Sequence, residues 1–240
     1  MDRPYNTLFM LSSLDGKIST GDVDTLDTDL DFKRIHGIKE GVKQYYDLEK
    51  TTDFYSLNSG KVMAKIGANV RTTEPKKIQC NFIIIDNKPH LDDKGTEYMA
   101  KWVKTLYLVT TNKNHPAYKL KEKYPNIEII YYENSVDLSD MFSKMKKMFG
   151  AKRITIQSGG TLNAEFLRQG FIDEVSIVIA PCLIGGNNTQ SLIGGESLHN
   201  EEDLLKIKSL ELVKSTTLEN SYIHLIYKVI NETKLDKKSL

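Results

Sequence analysis

Two short stretches carry residue types and spacings suited to chemistry. The first is Ser158-Gly159-Gly160-Thr161, which follows the β-rich run Arg153–Gln157 and precedes Leu162, Phe166 and Leu167, spaced for one helical face that Gly170 ends. A glycine pair between strand and helix lets backbone N–H groups approach an anion at the helix N-terminus, and a nucleotide pyrophosphate suits that cradle. The same residues also suit a tight turn that binds nothing. The second is Ser13-Leu14-Asp15-Gly16-Lys17, set between the apolar run Thr7–Ser12 and Ile18. It presents a hydroxyl, a carboxylate and an ammonium at the end of a core strand. A third turn, Asn58-Ser59-Gly60-Lys61, lacks the upstream glycine and the hydroxyl after the lysine that a P-loop needs.

Other chemistries lack their signatures. The chain has no H-x-E with P-C-x-x-C, no H-E-x-x-H and no C-x-x-C, so no metal site is expected. It has no G-x-S-x-G elbow and no G-x-G-x-x-G fingerprint. His36 and His224 read as structural. What is left is a nucleotide-like turn without a nucleophile or a metal, a pattern that fits hydride transfer, where a cofactor carries the chemistry and the protein binds and orients it.

Composition sets the frame for these residues. The 240 residues are 40% hydrophobic and 27% charged, as in ordinary globular proteins, and a net charge of +1 gives no field favouring nucleic acid or a membrane surface. The start, Met-Asp-Arg-Pro-Tyr, has no signal-peptide shape, and no apolar run approaches a membrane span. The expectation is a cytoplasmic protein with Cys80 and Cys182 as reduced, buried thiols. A small-molecule substrate is expected, with no nucleic acid and no membrane as partner.

Strand-like and helix-like runs alternate. Strands are expected at Thr7–Ser12, Asp53–Leu57, Asn81–Ile85, Leu106–Val109, Ile127–Tyr131, Arg153–Gln157 and Val175–Ala180. Helices are expected at Phe32–Leu48 (stripe Phe32, Ile35, Val42 and Tyr46, capped by Asp29 or Asp31), Lys61–Ile66, Thr96–Val103 and Pro116–Tyr124. A further helix, Leu138–Phe149, should turn Met141, Phe142, Met145 and Met148 inward. Thr20–Asp31, with five aspartates, reads as a long loop, and Gly185–Ser197 as a glycine-rich one. Lys206–Thr217 and Ser221–Val229 read as an antiparallel hairpin. The expected class is α/β, with a mostly parallel mixed central sheet flanked by helices and a C-terminal antiparallel hairpin. One domain, residues 1–230, precedes a polar, frayed tail, 231–240. Ligands in such sheets bind at the carboxyl ends of strands. The polar residues there are Ser13/Asp15, Asn58/Ser59, Asp86, Thr110/Thr111 and Ser158/Gly159, expected in a single crevice.

Ser13-Leu14-Asp15-Gly16-Lys17-Ile18 resembles the S-x-D-G-K-I signature of the riboflavin-biosynthesis pyrimidine reductases, the reductase half of the bifunctional deaminase–reductase. Gly159-Gly160-Thr161-Leu162-Asn163, Leu167, Gly170, Ile172-Asp173-Glu174, Ile179-Ala180-Pro181 and Leu183-Gly185-Gly186 are similar to the same family's C-terminal block. The resemblance implies a dihydrofolate-reductase-like fold, NADPH as cofactor, a homodimer, and reduction of the ribosyl group of a ribosylaminopyrimidine phosphate to ribityl. It places Ser158, Gly159, Gly160, Thr161 and Leu162 on the cofactor pyrophosphate, with Ser59 and Gly60 also cofactor-binding. Thr110, Thr111 and Lys113 would lie toward the adenosine 2′-phosphate. Asp15 and Lys17 would be catalytic, and Ser13, Asp15, Arg71 and Gln157 would bind substrate. The middle of the chain departs from the family. Glu49 stands near a usual arginine, Asn58-Ser59-Gly60-Lys61-Val62 replaces G-x-G-T-V, Lys65-Ile66-Gly67 replaces D-D-P, and Gln157 replaces an acidic residue. Those departures leave open another imine or carbonyl substrate, such as a pterin or folate, or a nucleotide-binding protein without redox activity.

Overall fold

The computed structural model describes residues 2–236. In chain order, β1 (Tyr5–Ser13) leads to α1 (Thr28–Asp31) and α2 (Lys43–Glu49). Then come β2 (Tyr55–Ser59), α3 (Gly60–Lys65), β3 (Asn81–Ile85), α4 (Asp93–Trp102), β4 (Leu106–Thr110), α5 (Ala117–Leu120), β5 (Ile127–Tyr131), α6 (Leu138–Lys147) and β6 (Arg153–Ile156). The chain finishes with α7 (Gly160–Arg168), β7 (Glu174–Ala180), β8 (Ser209–Thr217) and β9 (Ile223–Ile230).

The chain forms two compact units. One comprises Thr52–Ser158 with the chain start as far as Tyr5; the other comprises Asn6–Thr51 with the described residues from Gly159 onward.

In the Thr52–Ser158 unit the strands lie in the order β5-β4-β3-β2-β6, all parallel. Ile83, Ile84, Leu106, Leu108 and Val109 are fully buried, as continuous apolar strands covered on both faces should be. Met63, Met99 and Val103 pack against one face of this sheet together with Trp102. On α6, Met141, Phe142 and Met145 are fully buried, while Met148, expected inward, is 67% exposed because the helix ends at Lys147. Strand β2 runs two residues further than expected, pairing Asn58 and Ser59 with Ile84 and Ile85, so the turn opens only at Gly60. Helix α4 starts earlier than expected, because Asp92 caps it by accepting from the Gly95 N–H at 2.8 Å. Helix α5 is shorter, covering Ala117–Leu120 of the expected Pro116–Tyr124.

In the other unit β1 pairs in parallel with β7, Ser13 opposite Ala180, and β9 and β8 follow antiparallel. The helix expected over Phe32–Leu48 is confined to Lys43–Glu49. Tertiary contacts override the periodicity. Gly37 takes φ +85, and Tyr222 from the hairpin packs so closely on Gly41 that a Cβ there would lie 2.4 Å from its ring. The hairpin tip also grips this segment, Asn220 donating to the Glu40 carbonyl and Gln44 to that of Glu219. Ile35, expected inward, is exposed. The cap is Asp27, on α1, rather than Asp29 or Asp31. Neither cysteine forms a disulfide, and both are half-buried rather than buried. Asn231 and Thr233 in the expected frayed tail are anchored to the Ile172 and Ile207 carbonyls, while residues 237–240 lie outside the described residues. No helix among the described residues is long and apolar enough to cross a membrane.

Candidate active site

The parallel register of β1 and β7 brings the turn after Ser13 alongside the loop after Ala180. Gly16, at φ +75, closes the turn with its N–H on the Ser13 carbonyl at 3.0 Å. The Ser13 hydroxyl accepts from the Lys17 N–H at 2.9 Å and donates to the Asp15 carboxylate at 2.5 Å. Asp15 also accepts from the Ile184 N–H at 3.1 Å and the Gly185 N–H at 2.6 Å. The Ser13 hydroxyl and these two amides outweigh partial burial and lower the Asp15 carboxyl to about 2. The Lys17 ammonium reaches across to the Gly186 carbonyl at 2.9 Å, the Thr189 carbonyl at 3.0 Å and the Ser191 hydroxyl at 3.3 Å. The backbone adds Ile18 N–H to the Gln190 carbonyl and Leu192 N–H to the Gly16 carbonyl. The turn therefore fastens the 184–192 loop at both of its charged residues.

The same loop holds the start of α7. Gly194 N–H donates to the Gly160 carbonyl at 2.9 Å, and the Asn163 amide donates to the Leu192 carbonyl at 2.9 Å. A Cβ on Gly160 would lie 2.1 Å from the Ser191 carbonyl oxygen, so this glycine is required by the protein's own loop. Gly159 differs: a Cβ there would meet only the Gln190 side chain, at 3.6 Å. No side chain caps α7, its first turn holds no acidic residue, and Thr161 is exposed. A helix start of this kind suits an anion. The two motifs far apart in sequence are thus joined through one loop.

In the Thr52–Ser158 unit the remaining expected residues gather mostly around Asp86, at the end of β3. Its carboxylate is buried and accepts from His90 Nδ1 at 2.8 Å, His115 Nε2 at 3.2 Å, His90 N–H at 3.1 Å and Leu91 N–H at 3.0 Å. Burial alone would raise Asp86, but these bonds, led by that of His115, hold it below the ordinary carboxylate value. Gly60 faces this group; an added Cβ would lie 2.1 Å from the Asp86 carboxyl carbon. The position a Cβ would take on Gly60 is thus occupied by an internal carboxylate. Ser59 caps α3, accepting from the Val62 N–H at 3.3 Å. Thr110 is fully buried, and its hydroxyl donates to the Asp86 carbonyl. Thr111 N–H donates to the Asn87 side chain. Lys113 is exposed, its ammonium 5.3 Å from the Tyr131 ring. Arg71 lies apart from this cluster, bonded to the Tyr98 hydroxyl and the Ile66 carbonyl. Gln157 accepts from Ser56, which in turn accepts from Asn58. His90 and His115 escaped the sequence reading. The spacing of His90 four residues after a strand-end aspartate was the one local signal. Among the described residues no cluster of three or more His, Cys, Asp or Glu is arranged to hold a metal ion.

The architecture and the glycine turn define an α/β protein of the class that places ligands at strand carboxyl ends. Residues 4–224 match the model of the RibD C-terminal domain, and the chain belongs to that family. The chain is 26% identical over 224 residues to the 2,5-diamino-6-ribosylamino-4(3H)-pyrimidinone 5′-phosphate reductase of Methanothermobacter thermautotrophicus, covering 90% of this chain and 94% of that protein. It is 23% identical over 215 residues to the riboflavin biosynthesis protein RibD of Aquifex aeolicus, covering 86% of this chain and about half, 54%, of that protein. Among solved structures, Acinetobacter baumannii RibD superposes with TM-score 0.66 at 16% identity, over 95% of this chain and 59% of that one. The Saccharomyces cerevisiae riboflavin biosynthesis reductase Rib7 superposes with TM-score 0.61 at 16% identity, over 95% and 91%. The expected fold class is the one found.

Proposed function

We propose that this chain is an NADPH-dependent reductase that converts the ribosyl group of a ribosylaminopyrimidine 5′-phosphate to ribityl in riboflavin biosynthesis, acting as a cytoplasmic homodimer. The observation that carries the reading is the near end-to-end match to the Methanothermobacter reductase, over 94% of that protein's length. A nicotinamide cofactor supplies the hydride when bound. The uncapped start of α7, Gly159 to Leu162 after Ser158, would hold its pyrophosphate.

The chain's own residues divide the remaining work. Asp15 is ionised at neutral pH, the wrong form for a proton donor. Its role is to fix the Ile184–Gly185 backbone. Lys17 carries donatable protons on Nζ and orders the Gly186–Ser191 segment through three contacts. We assign the proton to Lys17 or to solvent, and positioning to Asp15. Purified protein given NADPH and the diaminopyrimidine ribosyl phosphate should oxidise the cofactor, followed by its absorbance. Lys17→Met should lower kcat/KM by about a hundredfold, the scale of a misplaced site. No turnover with that compound or its deaminated form would refute the substrate assignment.

The homodimer is supported by the hairpin. Strand β8 is exposed over almost its whole length, with Leu212 at 54% and Val213 at 62%. The register sets Leu212 beside Tyr227 on β9, with Leu210 and Ile223 also exposed. An apolar sheet face this open suits a second copy of the chain, and in a two-fold dimer one substitution enters the interface twice. Leu212→Lys should shift the protein from dimer to monomer in size-exclusion chromatography with light scattering. A variant that stays dimeric would locate the interface elsewhere.

A further inference from the structure

The Lys17 ammonium has three protons, and the loop after β7 takes all of them. Nζ donates to the Gly186 carbonyl at 2.9 Å, the Thr189 carbonyl at 3.0 Å and the Ser191 hydroxyl at 3.3 Å. An ammonium nitrogen has no further donor direction, so a substrate acceptor reaches it only by displacing one of these partners. The two carbonyls are backbone and sit on the shorter bonds. The Ser191 hydroxyl sits on the longest bond, and it is the one partner that a side-chain rotation moves aside.

The three partners also differ in what they can return. A carbonyl oxygen only accepts, whereas a hydroxyl both accepts and donates. Once Lys17 has given up a proton, Ser191 is the one partner of the three able to supply another. Backbone bonds fix its place. Ser191 forms an antiparallel bridge with Lys17, the Ile18 N–H donates to the Gln190 carbonyl at 2.9 Å, and the Leu192 N–H donates to the Gly16 carbonyl at 2.8 Å. Ser191 also lines a polar cavity of about 480 Å³ with Arg168, Asn187, Thr189, Gln190 and Ser197. Asn187, Gln190 and Ser197 are exposed, so this cavity opens to solvent.

We propose that Ser191 is the proton relay of this site, passing protons from the open cavity to Lys17 between turnovers. This rests on the reductase reading above, with Lys17 as the proton donor. In that reaction C1 of the ribosyl group is reduced at the expense of the nicotinamide. The bond from C1 to the ring oxygen breaks, and that oxygen becomes a hydroxyl with a proton from Nζ. Lys17 is left as a neutral amine. Its lone pair takes the Ser191 hydroxyl proton while Oγ takes one from solvent, which restores both the ammonium and the hydroxyl. Ser191 thus acts through Lys17 rather than on the substrate.

The test is Ser191→Ala, assayed by rapid mixing and in the steady state for NADPH oxidation with the diaminopyrimidine ribosyl phosphate. The substitution removes the hydroxyl alone, since the carbonyl against Gly160 and the bridge to Lys17 belong to the backbone. Each Lys17 starts with its proton. The first turnover should therefore run at the wild-type rate and consume one NADPH per chain. Later turnovers should slow about a hundredfold, the lower end of what a lost proton-transfer group costs. Ser191→Thr keeps the hydroxyl and should restore the steady state. Methylammonium, a small proton donor, should speed the later turnovers of Ser191→Ala and leave its first turnover unchanged. A first turnover slowed as much as the later ones means that Ser191 only orients Lys17, and it overturns the relay. An unchanged steady state means that solvent reaches Lys17 directly, and it overturns the relay too. A wild-type protein that oxidises no NADPH with this substrate refutes the reductase reading itself. A wild-type enzyme that turns over, beside a Ser191→Ala variant with either overturning result, loses only the relay.

Discussion

Gly160→Ala is expected to destabilise the protein by about 3 kcal/mol, at the upper end of ordinary overpacking, and, on the proposed cofactor reading, to remove most NADPH binding. The added methyl would lie 2.1 Å from the Ser191 carbonyl oxygen. That atom is backbone, so no side-chain rotation relieves the contact. Either α7 or the 191–194 segment must move, and movement breaks the Gly194 to Gly160 and Asn163 to Leu192 bonds. Ser191 is also one of the Lys17 acceptors, so the displacement reaches the charged turn. Gly159→Ala is the internal control. Its methyl meets only a flexible glutamine side chain at 3.6 Å, and alanine in place of glycine at the first cap position costs under about 1 kcal/mol. If the α7 start cradles a pyrophosphate, Gly159→Ala should weaken NADPH binding with little change in stability. Chemical denaturation and cofactor titration separate the two effects. Equal, small stability losses from both substitutions would refute the packing account of Gly160.

The contrast between these glycines marks how far the sequence could be read. The strand-turn-helix order around residues 153–170 was legible because local patterns set it: alternation, the glycine pair, then Gly170 at φ +74 as the helix stop. The partner that makes Gly160 obligatory, Ser191, lies far along the chain, and no local pattern announces it. The buried parallel strands β3 and β4 were legible as short apolar runs. The Phe32–Leu48 segment failed for the opposite reason. Its periodicity was real, but Tyr222 and Gln44, bonded across the fold, impose turns that no neighbour in sequence dictates. The Ser13–Lys17 turn was recognised as a polar presentation. Its geometry shows Asp15 and Lys17 facing the 184–191 loop, with the Asp15 carboxylate accepting from that loop's backbone. His115, buried against Asp86 with both nitrogens bonded, looked like any loop histidine.

Asp86→Ala should cost about 3–5 kcal/mol, the scale for removing one partner of a buried ionic group. The substitution leaves the His115 Nε2–H and the Leu91 N–H without acceptors inside the fold, and those orphaned donors carry most of the penalty. The pH dependence has a definite sign. The folded-state Asp86 carboxyl lies below its ordinary value, so its contribution is complete above the ordinary carboxylate range and is lost as pH falls toward the depressed folded value. The stability gap between wild type and Asp86→Asn should therefore be widest near neutrality and shrink in acid. A gap that widened in acid would contradict the assignment of a stabilised anion. A double-mutant cycle makes the argument specific to Gly60. Alone, Gly60→Ala sets a methyl 2.1 Å from the Asp86 carboxyl carbon and should cost about 1–3 kcal/mol. In the Asp86→Ala background the obstructing carboxylate is gone, and the new methyl fills part of the vacated space. The second substitution should then cost little or restore stability, giving a coupling of about 1–3 kcal/mol between residues in contact. Strict additivity would mean that Gly60 is glycine for another reason, and the closeness of a bound ligand would return as its explanation.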